Sequence, residues 1–99
     1  MENDCLPNCR FIHNFFDYCV NTDGEIFSKK TGTWVKLKKQ THNCGYHIIQ
    51  LCKDGKRQMY YIHRLVAKTF LDDYSEDLEV DHKNHDKKDN RLKNLRMVT

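Results

Sequence analysis

The sequence lacks the long apolar stretches that mark membrane and secreted proteins. No run of about 18 apolar residues occurs, and no basic leader precedes an apolar segment. Internal repeats and low-complexity tracts are also absent from the sequence. With 99 residues, of which 38% are apolar, the chain has room for one small domain with a thin core. We therefore expect an intracellular protein with no membrane partner, stabilised in part by a metal, a protein partner or nucleic acid.

The sequence has five cysteines, an odd number that cannot be fully paired in disulfides within one chain. Without a secretory leader, reduced thiols are expected in place of a disulfide framework. Cys5 and Cys9, followed by His13, have a spacing that can bind zinc, but a structural zinc site needs two well-spaced pairs of ligands. The cysteines that do not supply a clear second pair are Cys19, Cys44 and Cys52. A zinc-stabilised interaction domain is therefore a minor alternative.

The net charge of +3 conceals four alternating blocks. Residues 1–28 carry five acidic residues and one basic residue, whereas residues 29–70 carry ten basic residues and one acidic residue. Residues 71–80 carry five acidic residues and no basic one, and residues 81–99 carry six basic and three acidic residues. The basic middle block predicts binding to a polyanion, usually nucleic acid, although a solvated Lys-rich face is the plainer interpretation of such a block alone.

Local signals predict two hairpins followed by a helix. The segment "DYCVNTDGEIFSKKTGTWVKL" suggests a strand, a turn at Asp23-Gly24 and a second strand. In "YHIIQLCKDGKRQMYYIH", two β-prone runs flank Asp54-Gly55, a pair that accepts the positive φ angles of a type I′ turn. Apolar residues then recur at helical spacing in "IHRLVAKTF", which predicts an amphipathic helix of about two turns.

The last part of the chain predicts a short strand at residues 78–81, one helical turn in "DNRLKNL" capped by Asp89, and a strand in "LRMVT". The expected organisation is α+β, with a leader at residues 1–9, a β-rich module at 10–61 and a second unit at 62–99. The adjacent residues Asp81 and His82 join a hard oxygen ligand to a possible proton acceptor. Placing both side chains in one site implies a twist or a bulge at the end of the strand.

The segments "IHRLVAKTF" and "VDHKNHDKKDNRLKNLRMVT" resemble the HNH endonuclease module of phage and intron homing endonucleases. Upstream, "YCVNTDGEIFS" and "GYHIIQLCKDGK" are similar to the small β-rich module that commonly precedes it, so the resemblance covers about residues 10 to 99. Two departures stand out, because the family often has Gly where this chain has His85 and Trp where it has Met97. The first departure could alter the turn of the loop, and the second thins the packing behind the site.

The resemblance implies a ββα-metal fold and metal-dependent hydrolysis of DNA phosphodiester bonds, with nicking as the expected outcome. It implies that Asp81 is a metal ligand for Mg²⁺ or Mn²⁺, that His82 is the general base, and that Asn94 fixes the loop and His82. The family places a further His or Asn ligand on a helix beyond the strand that ends at Thr99, so by analogy the last helix of the motif is missing. A phage or virus origin is compatible with this resemblance. Asn90, judged by its type and position in a turn, is expected to be structural.

Basic residues supply the expected contacts with double-stranded DNA. Lys36, Lys38 and Lys39 alternate with apolar residues, so one face of a strand is expected to carry cations towards phosphate. The remaining candidates lie at the tip of the second hairpin and around the Asp81-His82 loop, and they are Lys53, Lys56, Arg57, Lys87, Lys88, Arg91 and Arg96. The alternative to an endonuclease is a non-cleaving DNA-binding module derived from a truncated HNH homing endonuclease.

Overall fold

The computed structural model describes residues 5–30 and 32–99. This part of the chain forms nine strands, one α-helix and one short 3₁₀ helix. Helix α1 spans Ile62–Phe70, between the seventh and eighth strands, and the 3₁₀ helix spans Leu92–Asn94. The strands are β1 (Cys9–Ile12), β2 (Phe15–Asn21), β3 (Ile26–Lys30), β4 (Thr33–Lys36), β5 (Gln40–Thr41), β6 (His47–Lys53), β7 (Lys56–Tyr61), β8 (Glu79–His82) and β9 (Leu95–Val98).

The strands form three antiparallel sheets whose order follows the sequence. The sheets are β1-β2-β3-β4, β5-β6-β7 and β8-β9. The hairpin predicted at Asp54-Gly55 is confirmed as β6–β7, and these two residues have φ angles of 54° and 77°. Because a type I′ turn requires positive φ at both central positions, the local sequence is sufficient to specify this turn.

The first predicted hairpin is confirmed as β2–β3, which turns at Asp23-Gly24. Asn21 Oδ1 accepts hydrogen bonds from the backbone N–H groups of Asp23 and Glu25, at 3.0 and 2.9 Å. An Asn side chain that bonds the backbone ahead of it is a common way to begin a turn. Gly24 has a φ of 81°, which glycine adopts without the strain that a Cβ would add.

Strand β1 begins at Cys9, the last residue of the predicted leader; residues 1–4 of that leader lie outside the described residues, and the leader stays a prediction. One expectation about a strand is wrong. Lys36 is the last residue of β4, so Lys38 and Lys39 do not lie on the strand face that the alternation predicted. Leu37 makes the last hydrogen bond to β3 and packs against the core, and the chain then leaves the first sheet for β5.

The predicted helix is confirmed with the same bounds, Ile62–Phe70. Its first residue follows Tyr61, whose side chain makes no capping hydrogen bond, and its first turn has no acidic residue. A nine-residue helix without these local contributions depends on tertiary packing. The packing is extensive, because α1 contacts strands of the first, second and third sheets.

One hydrophobic cluster joins all three sheets to the helix. The first sheet contributes Ile12, Val20 and Ile26 among others, the second Ile49 and Leu51, and the third Leu95; the helix contributes Ile62, Leu65 and Val66. The predicted boundary between a 10–61 module and a 62–99 unit stays a prediction. Across residues 5–30 and 32–99, no helix is long and apolar enough to cross a membrane.

Candidate active site

The β8–β9 hairpin carries the Asp81-His82 pair. Its register runs without a shift through Asp81↔Arg96 and His82↔Leu95, so the bulge allowed for between the two residues is absent. Consecutive side chains of a regular strand emerge on opposite faces, and the two environments differ accordingly. His82 is buried, whereas the side chain of Asp81 is 31% exposed.

His82 is held by one hydrogen bond and two rings. Its Nε2 lies 2.9 Å from Oδ1 of Asn90. Its ring centroid lies 5.0 Å from that of His63, on α1, and 5.8 Å from that of Tyr46, in the loop before β6. The His82 Nδ1 atom has no hydrogen-bond partner among the described residues, although the residue is buried.

Asn94 closes the loop between β8 and β9. Its Oδ1 accepts from the backbone N–H of Asn84 at 3.1 Å, and its Nδ2 donates to Asn84 Oδ1 and to the Asp89 carbonyl, both at 2.9 Å. The Lys83 N–H also donates to the Asn94 carbonyl at 2.7 Å. Asn94 thus lies where it can fix the loop, while the side chain bonded to His82 belongs to Asn90.

Asp89 does not cap the 3₁₀ helix, so the predicted cap is wrong. The helix follows Arg91, which makes no side-chain capping bond. The Asp89 carboxylate instead accepts from Arg91 Nε and Nη2, at 2.7 and 2.6 Å, and from Asn84 Nδ2 at 2.9 Å. The Arg91 guanidinium holds the pKa of Asp89 well below its usual range. The carboxylate therefore stays ionised and keeps its hydrogen bonds within the loop.

His85 occupies the loop position where the resemblance to the HNH module leads us to expect glycine. Its φ is 65°, in the left-handed region that favours glycine, and its N–H donates to the His82 carbonyl at 2.9 Å. The turn next to the site is therefore kept with a non-glycine residue. We assign His85 no part in the chemistry.

Asp81 is the candidate metal ligand. Its Oδ2 accepts from Arg96 Nε at 2.9 Å, which leaves Oδ1 available. A partly exposed carboxylate oxygen is a suitable ligand for Mg²⁺ or Mn²⁺. Within the described ranges, however, no group of three or more His, Cys, Asp or Glu residues is arranged to hold a metal ion. The role of Asp81 as a metal ligand therefore stays a prediction, and the described residues give no support to a zinc site.

The predicted cations are distributed over several elements. Lys87 lies beside the site, because its Nζ donates to the Cys44 carbonyl at 3.0 Å and lies 5.1 Å from the Tyr46 ring centroid. Lys36 pairs with Glu25 at 2.8 Å. The other candidates are exposed or partly exposed, and they are Lys38, Lys39, Lys53, Lys56, Arg57, Lys88, Arg91 and Arg96. Arg91 and Arg96 form ion pairs with Asp89 and Asp81, so these two, like Lys36, are less free to bind phosphate than the unpaired candidates.

The sequence did not predict the two rings, Tyr46 and His63, that pack against His82. Tyr46 stacks on His63 with a centroid distance of 4.8 Å, and both rings lie against His82. His63 packs against the rings of Tyr46 and His82, and its Nδ1 is buried without a hydrogen-bond partner in the described structure. No local pattern links Tyr46, His63 and His82, because they come from a loop, a helix and a strand.

The buried side chain of His63 is expected to make the free energy of unfolding depend on pH. Burial, with smaller contributions from the charges of His82 and Arg64, lowers the pKa of His63 from 6.5 to about 4. Between these two pKa values His63 is protonated in the unfolded chain and neutral in the folded chain. The free energy of unfolding therefore falls as the pH falls through this window. We expect a loss on the order of 3 kcal/mol by about pH 4, measured by urea unfolding. His63→Phe should flatten this dependence, whereas His13→Phe, at an exposed position, should leave it; an unchanged slope in His63→Phe would contradict the assignment.

Comparison with known proteins identifies the segment that carries this site. Residues 60–99 match the family model described as HNH endonuclease. These residues belong to the HNH endonuclease family. The match contains Asp81, His82, Asn90 and Asn94, so these hydrogen-bonded side chains of the candidate site lie within the HNH segment. The Tyr46 loop and the first hairpin lie upstream of it.

Similarity to HNH proteins extends upstream of that segment. The chain is 46% identical over 82 residues to the DNA endonuclease I-HmuI of Bacillus phage SP01, covering 83% of this chain and 46% of that protein. It is 32% identical over 99 residues to the H-N-H endonuclease F-TflII of Escherichia phage T5, covering 95% of this chain and 49% of the relative. The chain therefore spans about half the length of these HNH relatives.

A solved HNH structure shares the fold. The structure described as "DNA binding and cleavage by the HNH homing endonuclease I-HmuI" superimposes with a TM-score of 0.83 at 42% identity, covering 92% of this chain and 52% of that chain. The resemblance to phage HNH homing endonucleases is thus confirmed, as is the α+β description of strands with one helix.

Proposed function

We propose that this chain provides the DNA-binding and base-bearing part of a metal-dependent DNA endonuclease that hydrolyses phosphodiester bonds and nicks one strand of a duplex. The observation that carries this proposal is the state of His82, which is buried, bonded through Nε2 to Asn90 and left with a second ring nitrogen that has no hydrogen-bond partner among the described residues. This arrangement lies inside the segment that matches the HNH family. The relatives named as endonucleases support the same reaction class.

His82 acts as the general base in this proposal. Its Nδ1 takes a proton from the water that attacks the phosphorus atom, and the Asn90 bond at Nε2 keeps the ring from turning during the transfer. Imidazole is the side chain best suited to accept a proton at neutral pH. The rings of Tyr46 and His63 restrict the access of other water to the base.

Asp81 contributes an anionic oxygen towards Mg²⁺ or Mn²⁺. When bound, such an ion offsets the negative charge that builds up on the phosphate as the bond to the leaving oxygen breaks. The Arg96 guanidinium bonded to Asp81 Oδ2 holds the carboxylate in one orientation. Asn94 and Asp89 keep the loop between the two strands closed, so Asp81 and His82 remain on a fixed hairpin.

Cations hold the duplex in this proposal. Lys87 lies next to the site, and Lys53, Lys56 and Arg57 lie at and beside the β6–β7 turn, where they are exposed. Contacts with phosphate position a protein on DNA without reading its sequence. The solved relative is described as binding and cleaving DNA, which supports DNA as the partner.

Relaxation of supercoiled plasmid by this chain tests the proposal. We expect nicking in Mg²⁺ or Mn²⁺ and none in EDTA. Asp81→Asn should abolish the metal-dependent nicking, because an amide is a weaker ligand than a carboxylate. The fold should survive this change, because the lost ion pair with Arg96 is partly exposed and contributes at most about 1 kcal/mol to stability. Asp72→Asn, in the exposed acidic linker, is the matched control and should nick like the parent chain.

The second candidate is a DNA-binding module that does not cut. It is favoured by the absence, in the part of the chain that the structure describes, of a three-ligand metal cluster around Asp81. Salt-sensitive binding of plasmid in a gel-shift assay, with no nicking in either metal, would select this module over the endonuclease. Binding that is insensitive to salt would contradict both candidates, because each depends on contacts between cations and phosphate.

A further inference from the structure

We infer that His42 and Cys44 form a base–nucleophile pair, and that Cys44 is the site at which this chain takes up a low-molecular-weight disulfide as a mixed disulfide. Both residues lie in the loop between β5 and β6, upstream of the HNH segment. Cys44 is exposed, and its Sγ lies 3.0 Å from the Nδ1 atom of His42. A nucleophile within hydrogen-bond reach of a base is the arrangement on which covalent chemistry by a side chain depends.

The backbone decides the direction of proton transfer in this pair. The N–H of Cys44 donates to His42 Nδ1 at 3.2 Å, and a backbone amide nitrogen can only donate. Nδ1 therefore carries the lone pair of the neutral ring, and the contact between Nδ1 and Sγ is a hydrogen bond that the thiol donates. The edge of the Tyr61 ring, whose centroid lies 5.9 Å from that of His42, also holds the base in place.

The exchange balances with the disulfide as its one co-reactant. The Cys44 thiol gives its proton to His42 Nδ1 as its sulfur attacks one sulfur of the disulfide. One S–S bond forms while another breaks, so the Cys44 sulfur is oxidised and the departing sulfur is reduced. The departing thiolate takes the proton from His42, which leaves a mixed disulfide on Cys44 and one free thiol.

Three other cysteines are less suited to this reaction. Burial raises the pKa of Cys19 to about 12 and also raises the pKa of Cys9, so the thiolates of both are scarce. Cys52 is exposed and lies opposite Arg57 in the β6–β7 pairing, but no histidine is hydrogen-bonded to its thiol among the described residues. Cys52 therefore matches Cys44 in exposure and lacks only the base.

A group attached to Cys44 would lie beside the candidate active site. Lys87 Nζ donates to the Cys44 carbonyl at 3.0 Å, and a Cβ on Gly45 would lie 3.4 Å from Lys87 Cδ. The next residue is Tyr46, whose ring centroid lies 5.8 Å from that of His82. We expect the attached group to displace Lys87 and Tyr46 and so to slow nicking, a consequence that rests on the proposed function.

Mass spectrometry of the chain after treatment with oxidised glutathione at neutral pH tests the site. We expect glutathione on Cys44 at a rate at least about tenfold above that on Cys52, because the placed base takes the thiol proton during the attack. In His42→Phe, which keeps a ring against Tyr61 but has no Nδ1, Cys44 should react at the Cys52 rate. His13→Phe, at an exposed position, is the matched control and should react like the parent chain. Equal rates at Cys44 and Cys52 in the parent chain would overturn the inference, whether or not His42→Phe folds.

A plasmid assay separates this inference from the proposed function. Oxidised glutathione should slow nicking by the parent chain and dithiothreitol should restore it, whereas Cys44→Ser, which keeps the carbonyl that Lys87 bonds, should not respond to either reagent. Unchanged nicking by a chain that carries glutathione on Cys44 would remove the consequence for the active site. A parent chain that never nicks would remove the proposed function, and the rates at Cys44 and Cys52 would still decide the inference.

Discussion

Replacing His82 with glutamine is expected to slow plasmid nicking by about a hundred- to ten-thousand-fold, the range typical of losing a placed general base. Glutamine retains polarity and fills much of the volume of the imidazole beside Tyr46 and His63, so the packing of these two rings should be kept. It offers no group that can accept a proton at neutral pH. DNA affinity should stay within a factor of a few, because the cations that would contact phosphate are unchanged.

The controls for this substitution separate chemistry from folding. His82→Ala should be as slow as the glutamine variant but less stable, because it leaves a cavity beside the rings of Tyr46 and His63. His13→Ala removes an exposed histidine and should nick at the parent rate. Nicking by His82→Gln within about tenfold of the parent chain would show that another group activates the water, and the assignment of His82 would then fail.

Ile62→Ala is expected to destabilise the fold by about 2–5 kcal/mol, the usual cost of a large-to-small change in a closed core. Ile62 is fully buried and begins helix α1, which contacts all three sheets. A cavity here removes contacts that the helix cannot replace through capping. For a domain of this size, each 1 kcal/mol corresponds to roughly 4–8 °C in Tm, so we expect a fall of more than about 8 °C.

Urea unfolding of Ile62→Ala and of a surface control measures this effect. Phe16 is 79% exposed, and Phe16→Ala removes a larger side chain from a position that folding leaves in water. The control should change the free energy of unfolding by no more than about 0.5 kcal/mol. Equal losses in the two variants would mean that helix α1 is not the element on which the three sheets depend.

Local signals predicted most of the elements because their patterns are local. The Asp54-Gly55 turn needs only two residues that accept positive φ, and helix α1 is marked by an apolar face at helical spacing, although its stability depends on packing. The β8 strand, predicted at residues 78–81, lies at Glu79–His82. Strand β1 was missed because it is recognised by its pairing with β2, and the alternation of Lys36 to Lys39 misled because β4 ends where the chain changes sheets.

The sequence by itself predicted the candidate chemistry, because the Asp81-His82 pair stands in segments that resemble the HNH endonuclease module and its residue types suit a metal and a base. Only the tertiary structure decided how the base is held. Tyr46, His63 and Asn90 reach His82 from a loop, a helix and a second loop, and Gly24 supports Asn90 from the first hairpin. Contacts between elements far apart in the chain depend on packing in three dimensions, which no local pattern of residues records.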